Sequence, residues 1–180
     1  MTNTLILYGS RYGTTKDTSE KIRDILEAKD IEVSLTNVNE ELPSLSGYDG
    51  VLIGTSIKIS MWTKNIKKFV KKQKKTLDKR DFKLGFFVSC GMASEKEKIA
   101  EAKEKYIEKK MFKLGVKYDI ADAFGPIYDF SESSSMSKMN KNMMKAGLLD
   151  DGWENVEDIV YDLRDMDQIK KFSEEFAAML

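Results

Sequence analysis

Ser10, Gly13, Thr14 and Thr15 fall within six positions, directly after a short apolar run, Leu5-Ile6-Leu7-Tyr8-Gly9, and directly before an amphipathic segment. That order of residue types suits an anion. The first N–H groups of a helix lack an intrahelical partner, and the helix dipole favours negative charge beside them. Hydroxyl groups add neutral donors at the same point. The chemistry expected is a phosphate group held at the head of the first helix. Two further stretches follow apolar runs in the same way: Thr55, Ser56, Ile57, Lys58 and Trp62, then Ser89, Cys90, Gly91 and Met92. Together they offer hydroxyls, a cation, an indole and a thiol. Trp62 is the candidate stacking surface for a flat aromatic head, or else packs at a helix start.

The first loop fits neither common phosphate fingerprint. No Gly-Lys-Ser/Thr occurs, which excludes a P-loop, and Gly9 and Gly13 alone do not make Gly-x-Gly-x-x-Gly. Composition narrows the chemistry further. The chain has no histidine, which removes Ser-His-Asp and Cys-His catalysis and imidazole ligands. Cys90 is the only cysteine, so no internal disulfide or cysteine-held cluster can form. Demanding redox chemistry would need a bound cofactor. The 30 basic and 30 acidic residues cancel, which argues against a dedicated nucleic-acid binder. Apolar residues begin within five positions of the first, and apolar runs stay at four or five residues. The expectation is a cytoplasmic protein with no leader peptide and no transmembrane segment.

The elements that must position these loops alternate. A first helix is expected over 14–29, with Thr18, Ile22, Ile25 and Leu26 on one face. A strand follows at 31–35, and a connection over 37–49 contains Pro43 and Gly47. Residues 50–54 are continuously apolar, as in a central parallel strand. Thr63 can cap a helix running to about Leu77, with Ile66, Phe69 and Val70 inward and seven lysines on its other faces. Those lysines read first as a solvated face, and second as a dock for an acidic partner or an anionic membrane surface. A strand at 84–88 precedes a long helix ending near Gly115, with Ser94 and Glu97 as its capping box. Residues 116–124 supply a fifth strand. The rhythm indicates a doubly wound parallel α/β sheet in one domain, 1–180.

Residues 125–164 break that rhythm and read as a variable insert. Met136, Met139, Met143 and Met144 recur there at helical spacing, a stripe suited to packing or to a flat apolar ligand. Asp165 and Gln168 then cap a last helix with Ile169, Phe172, Phe176 and Leu180 inward.

Three stretches carry a family resemblance: TLILYGSRYGTT, YDGVLIGTSIKI with the later FVKK, and YDLRDMDQIKKFSEEFA. The chain resembles the flavodoxin-domain family, and most closely its menaquinone-dependent protoporphyrinogen oxidase-like branch. The resemblance implies a flavodoxin-like five-stranded parallel sheet of order 2-1-3-4-5, with ligands bound where strand order reverses. It implies FMN as cofactor, with Ser10, Arg11, Tyr12, Gly13, Thr14 and Thr15 on the phosphate. Thr55, Ser56, Ile57, Lys58, Trp62, Ser89, Cys90, Gly91 and Met92 would border the isoalloxazine. It further implies a non-covalent FMN redox protein, either an electron-transfer relay or an FMN-dependent oxidoreductase rather than a pure electron carrier, working with a redox partner protein, a quinone or a small-molecule substrate. A flavin-free binding module is the alternative. The chain departs from flavodoxin carriers in two ways: they are usually acidic, and they commonly place a glycine in the turn beside flavin N5. Here no glycine stands between Gly54 and Gly85, and Ile59-Ser60-Met61 takes that turn.

Overall fold

The computed structural model describes residues 2–40 and 44–180; Pro43 lies outside them. Contacts divide the chain into two units, Met1–Pro126 with Arg164–Leu180, and Ile127–Leu163. The first unit is a five-stranded parallel sheet of order β2-β1-β3-β4-β5. Its strands are β1 (Asn3–Gly9), β2 (Glu32–Asn37), β3 (Gly50–Ser56), β4 (Lys83–Ser89) and β5 (Ile120–Phe124).

Side-chain alternation along each strand assigns the two faces. Ile6, Leu52, Phe87 and Phe124 point to one side and pack against Ile22 and Leu26 of α1 (Thr14–Glu27). Ile169, Phe172 and Phe176 of the last helix, Met166–Ala177, join the same cluster. Leu5, Leu7, Val51, Ile53, Leu84, Phe86 and Val88 point to the other side. There they meet Ile66, Phe69 and Val70 of α2 (Lys64–Lys72), Leu77 of α3 (Lys74–Asp78), Ala102 of α4 (Ile99–Lys103) and Met111 of α5 (Lys109–Leu114). Strands covered on both faces explain the continuous apolar runs at 5–8 and 51–53.

Several local expectations are corrected. The lysine-rich helix is two pieces, because Gln73, at φ −91° and ψ 8°, breaks it between α2 and α3. Ser94 and Glu97 do not form a capping box. The Ser94 hydroxyl donates to the Gly91 carbonyl at 2.7 Å, closing the 3-10 turn Gly91–Ser94. The helical stretch beyond it includes a π turn, Glu104–Glu108, between α4 and α5. It stops at left-handed Gly115 (φ 63°). Asp165 does cap the last helix, accepting from the N–H groups of Asp167 and Gln168 at 3.0 and 3.1 Å. Gln168 does not answer reciprocally; its amide donates to the Ala123 carbonyl at 3.0 Å.

In the second unit, β6 (Ile127–Asp129) pairs antiparallel with β7 (Val160–Asp162). Between them lies α6 (Lys138–Asp150), and the last helix of the chain is α7. A small core of Phe130, Leu148 and Val156 is joined by Tyr128, Met144, Trp153 and Tyr161. The methionine stripe is therefore not one surface. Met136 is buried ahead of α6 and Met144 packs on this core, whereas Met139 and Met143 are exposed.

Gly54 sits under the Phe87 ring, and a Cβ there would run into it. Gly54→Ala is expected to lower stability by about 1–3 kcal/mol through overpacking, read as a lower urea midpoint at unchanged slope.

Candidate functional site

The loops after β1, β3 and β4 leave the carboxyl edge of the sheet side by side, and polar contacts tie them together. Gly9 pairs with Thr55 and Ser56 with Ser89 at the ends of these strands. The Ile57 N–H donates to the Ser89 carbonyl at 2.9 Å, and the Thr15 hydroxyl donates to Ser89 Oγ at 3.3 Å. The Cys90 N–H reaches the Phe124 carbonyl at 3.0 Å. All three predicted loops therefore meet.

The first loop ends in Gly13, left-handed at φ 95°, at the N-cap of α1. Gly13 has no side chain with which to cap this helix. Ser10 Oγ instead accepts from the Gly13 N–H at 3.0 Å, shaping the loop just ahead of it. Gly13 is exposed, and nothing lies within 4 Å of where its Cβ would stand. The first turn carries one carboxylate, Asp17, held by Arg164 Nη1 at 2.5 Å; the Arg164 side chain is 4% exposed. Arg164 Nη1 also donates to Thr18 Oγ1 at 3.3 Å. The helix start thus combines open space, oriented N–H groups and a compensated acid, a donor set suited to phosphate.

Arg11 does not turn to that helix start. Its guanidinium donates to the Ser56 and Trp62 carbonyls at 2.7 and 2.9 Å and ties the first loop to the second. Burial holds its pKa below the ordinary arginine value, with Tyr12 acting the other way. Lys58 Nζ donates to the Tyr12 hydroxyl at 2.7 Å, a second tie between the same loops.

The second loop folds into a tight turn. Lys58 and Met61 exchange both backbone hydrogen bonds, at 3.1 and 3.0 Å. Ile59 and Ser60 between them have φ of 48° and 57°. A β-branched residue in that region is strained, and strain of this kind gathers at functional loops. Ile59 is 76% exposed and Met61 57%, an apolar rim on the loop. Sequence reading placed the turn here but missed this exposed pair, since isolated apolar residues carry no periodic signal.

Three of the expected contact residues lie in the interior. Trp62 is not a stacking surface: it is 4% exposed, stacks on Phe86, and its Nε1 donates to the Tyr106 carbonyl at 2.7 Å. Thr55 is buried, and its hydroxyl accepts from the Thr63 N–H at 3.0 Å, which leaves it holding the loop's far end. Thr63 occupies the N-cap of α2 with its own hydroxyl turned to Thr55 rather than to the helix. Cys90 is buried, and burial pushes its thiol up to about 11. Ser56 and Met92 stay partly accessible and Gly91 is exposed.

A flavodoxin-domain family model matches residues 5–148. Flavodoxin 1 from Bacillus cereus aligns at TM-score 0.59 and 14% identity over 99% of both chains. A flavodoxin from the domain Archaea aligns at TM-score 0.58 and 15% identity, over 98% of this chain and 96% of its own. Flavodoxin 2 from Bacillus cereus aligns at 0.58 and 20% identity over 99% of both. No curated protein matches the sequence. Nothing in these comparisons supports the narrower protoporphyrinogen oxidase-like branch.

Two outcomes are expected. Replacing Ile59-Ser60 by Asn-Gly, the pair such a turn favours, should stabilise the fold by about 1 kcal/mol in urea unfolding. Cys90 should resist thiol reagents at pH 8 until the chain unfolds. Its unfolded thiol loses its proton near 9 while the folded one keeps it to about 11, so stability falls as pH rises through that window. The loss is about 2–3 kcal/mol by pH 11, and Cys90→Ala should remove that slope. By its fold, its site geometry and the family model that covers most of its length, the chain belongs to the flavodoxin-domain family.

Proposed function

We propose that the chain binds FMN non-covalently at the carboxyl edge of its sheet and uses it in electron transfer. The observation that carries this reading is the start of α1 at left-handed Gly13, with no N-cap side chain, tied through Arg11 to the Ser56 and Trp62 carbonyls on either side of the turn at 58–61. The family supports it, as do solved neighbours that are themselves flavodoxins, two of them described in the oxidised state.

The residues present fit FMN. A monoester dianion needs several donors and no uncompensated carboxylate. The first-turn N–H groups of α1 and the hydroxyls of Ser10 and Thr14 supply the donors, and Arg164 neutralises Asp17. A flat apolar ring needs an accessible apolar edge, which Ile59 and Met61 supply in place of Trp62. FMN, when bound, supplies one- and two-electron redox chemistry. The chain's part is to grip the phosphate, fix the ring beside the strained turn, and add the positive charge of Lys58 to the same edge. The exposed rim of Ile59 and Met61 is the route toward a redox partner.

Purified chain mixed with FMN and freed of excess should keep a visible flavin spectrum. Gly13→Asp should weaken FMN binding by at least about 100-fold, because its carboxylate would cap α1 from the phosphate's own position. Asp tolerates the left-handed region better than most residues, so the circular dichroism should stay native. Riboflavin, which lacks the phosphate, should bind both proteins alike. Undiminished FMN affinity in a folded Gly13→Asp protein would remove the phosphate site.

A further inference from the structure

We propose that the cleft between α2 and α5 is a second ligand site, for a small organic polyanion with a flat apolar body. Lys64, Lys67 and Lys71 line one wall, at spacings of three and four on α2, and Lys110 and Lys113 of α5 line the other. The Arg11 guanidinium closes the end nearest the second loop. The cavity is about 650 Å³, within the range of small-molecule sites. Among the described residues, no acid lines it.

Charge is uncompensated here by arrangement and not by shortage. Acids equal bases in the whole chain, yet none of these five lysines has an acidic partner at ion-pair distance among the described residues. The acids next to α5 face elsewhere: Glu104 is held by Lys109 at 2.8 Å, and Glu108 lines a different cleft, against β5. Burial, then Lys67 and Lys113, hold the Lys110 pKa below the ordinary lysine value. Like charges brought together at helical spacing destabilise a helix, and a bound polyanion relieves that repulsion.

The floor separates an organic ligand from a bare ion. Met61 and Leu114, with the largely buried Trp62 behind them, are its apolar lining, set among the cationic groups. A concave site of this kind fits a phosphorylated or polycarboxylated aromatic better than it fits a flat surface. Lys110 Nζ also donates to the Ser60 carbonyl at 2.8 Å, so the cleft abuts the strained turn. The cleft has its own lysine lining, although Arg11 and Met61 also border the proposed flavin site.

The test is calorimetric titration of ATP and of tripolyphosphate into the full chain, with and without saturating FMN to block the α1 site. One saturable ATP site per chain is expected, tighter than tripolyphosphate and weakened by salt. Lys67→Ala with Lys113→Ala should weaken ATP by at least about tenfold, the loss of one charge-assisted hydrogen bond. Lys21→Ala with Lys170→Ala, on exposed positions lining no part of the cleft, removes the same charge and should change affinity by less than about twofold. Absence of saturable ATP binding overturns the proposal, as does equal weakening in both double variants. Binding to anionic vesicles or to polyglutamate without ATP binding also overturns it, and assigns the lysines to a macromolecular partner. If FMN does not bind, the titration of the bare chain still decides the cleft.

Discussion

Neighbouring strands β1 and β3 send their helices to opposite faces of the sheet, and the rest of the site depends on that divergence. α1 packs with α7 over Ile6, Leu52 and Phe87, while α2 packs over Leu5, Leu7 and Ile53. A parallel sheet puts every strand's carboxyl end on one edge, and a reversal of order leaves a gap there that no crossover covers. The loops after β1 and β3 flank that gap. Each is short, and each is fixed both by its own turn contacts and by contacts to its neighbour. The Arg11 guanidinium and the Lys58 ammonium both span from one loop to the other. A βα loop of this kind is ordered by the strands beneath it and so can hold left-handed Gly13 and strained Ile59 in place.

The sheet was legible because burial on both faces leaves an unmistakable mark. Leu5-Ile6-Leu7, Val51-Leu52-Ile53 and Phe86-Phe87-Val88 admit no polar residue, and each lies in a parallel strand. The turn into α1 was legible as well, since hydroxyls and glycine before an amphipathic run mark a βα loop, and the left-handed residue falls at Gly13. What failed was the direction of individual side chains. Trp62 and Thr63 look like a stacking ring and a helix cap, but a buried hydroxyl, Thr55, and a buried carbonyl, that of Tyr106, draw them inward. Ser94 and Glu97 have the spacing of a capping box, yet the chain turns tightly at Gly91 and the hydroxyl is used locally. Arg164 went unnoticed: its partner Asp17 is far away in sequence, and a lone arginine carries no spacing signal.

Electrostatics at this edge is organised on a scale that net charge hides. The chain is neutral as a whole, yet its first helix begins with its only first-turn acid neutralised, and five lysines converge beside the second loop. Both arrangements favour anions, and they differ in kind. At α1 the positive character comes from oriented backbone dipoles, fixed in direction and short in reach; in the α2–α5 cleft it comes from the net charge of flexible ammonium groups. The same edge can therefore hold one ligand by geometry and attract another by charge.

The most direct measurement is the amide spectrum of isotopically labelled chain as FMN and then riboflavin are added. The account predicts that FMN moves the N–H resonances of Gly13, Thr14, Thr15 and Lys16 together with those of 58–61, and that riboflavin moves only the second group. FMN shifts confined to Lys67, Lys110 and their neighbours, with the α1 amides unmoved, would contradict it.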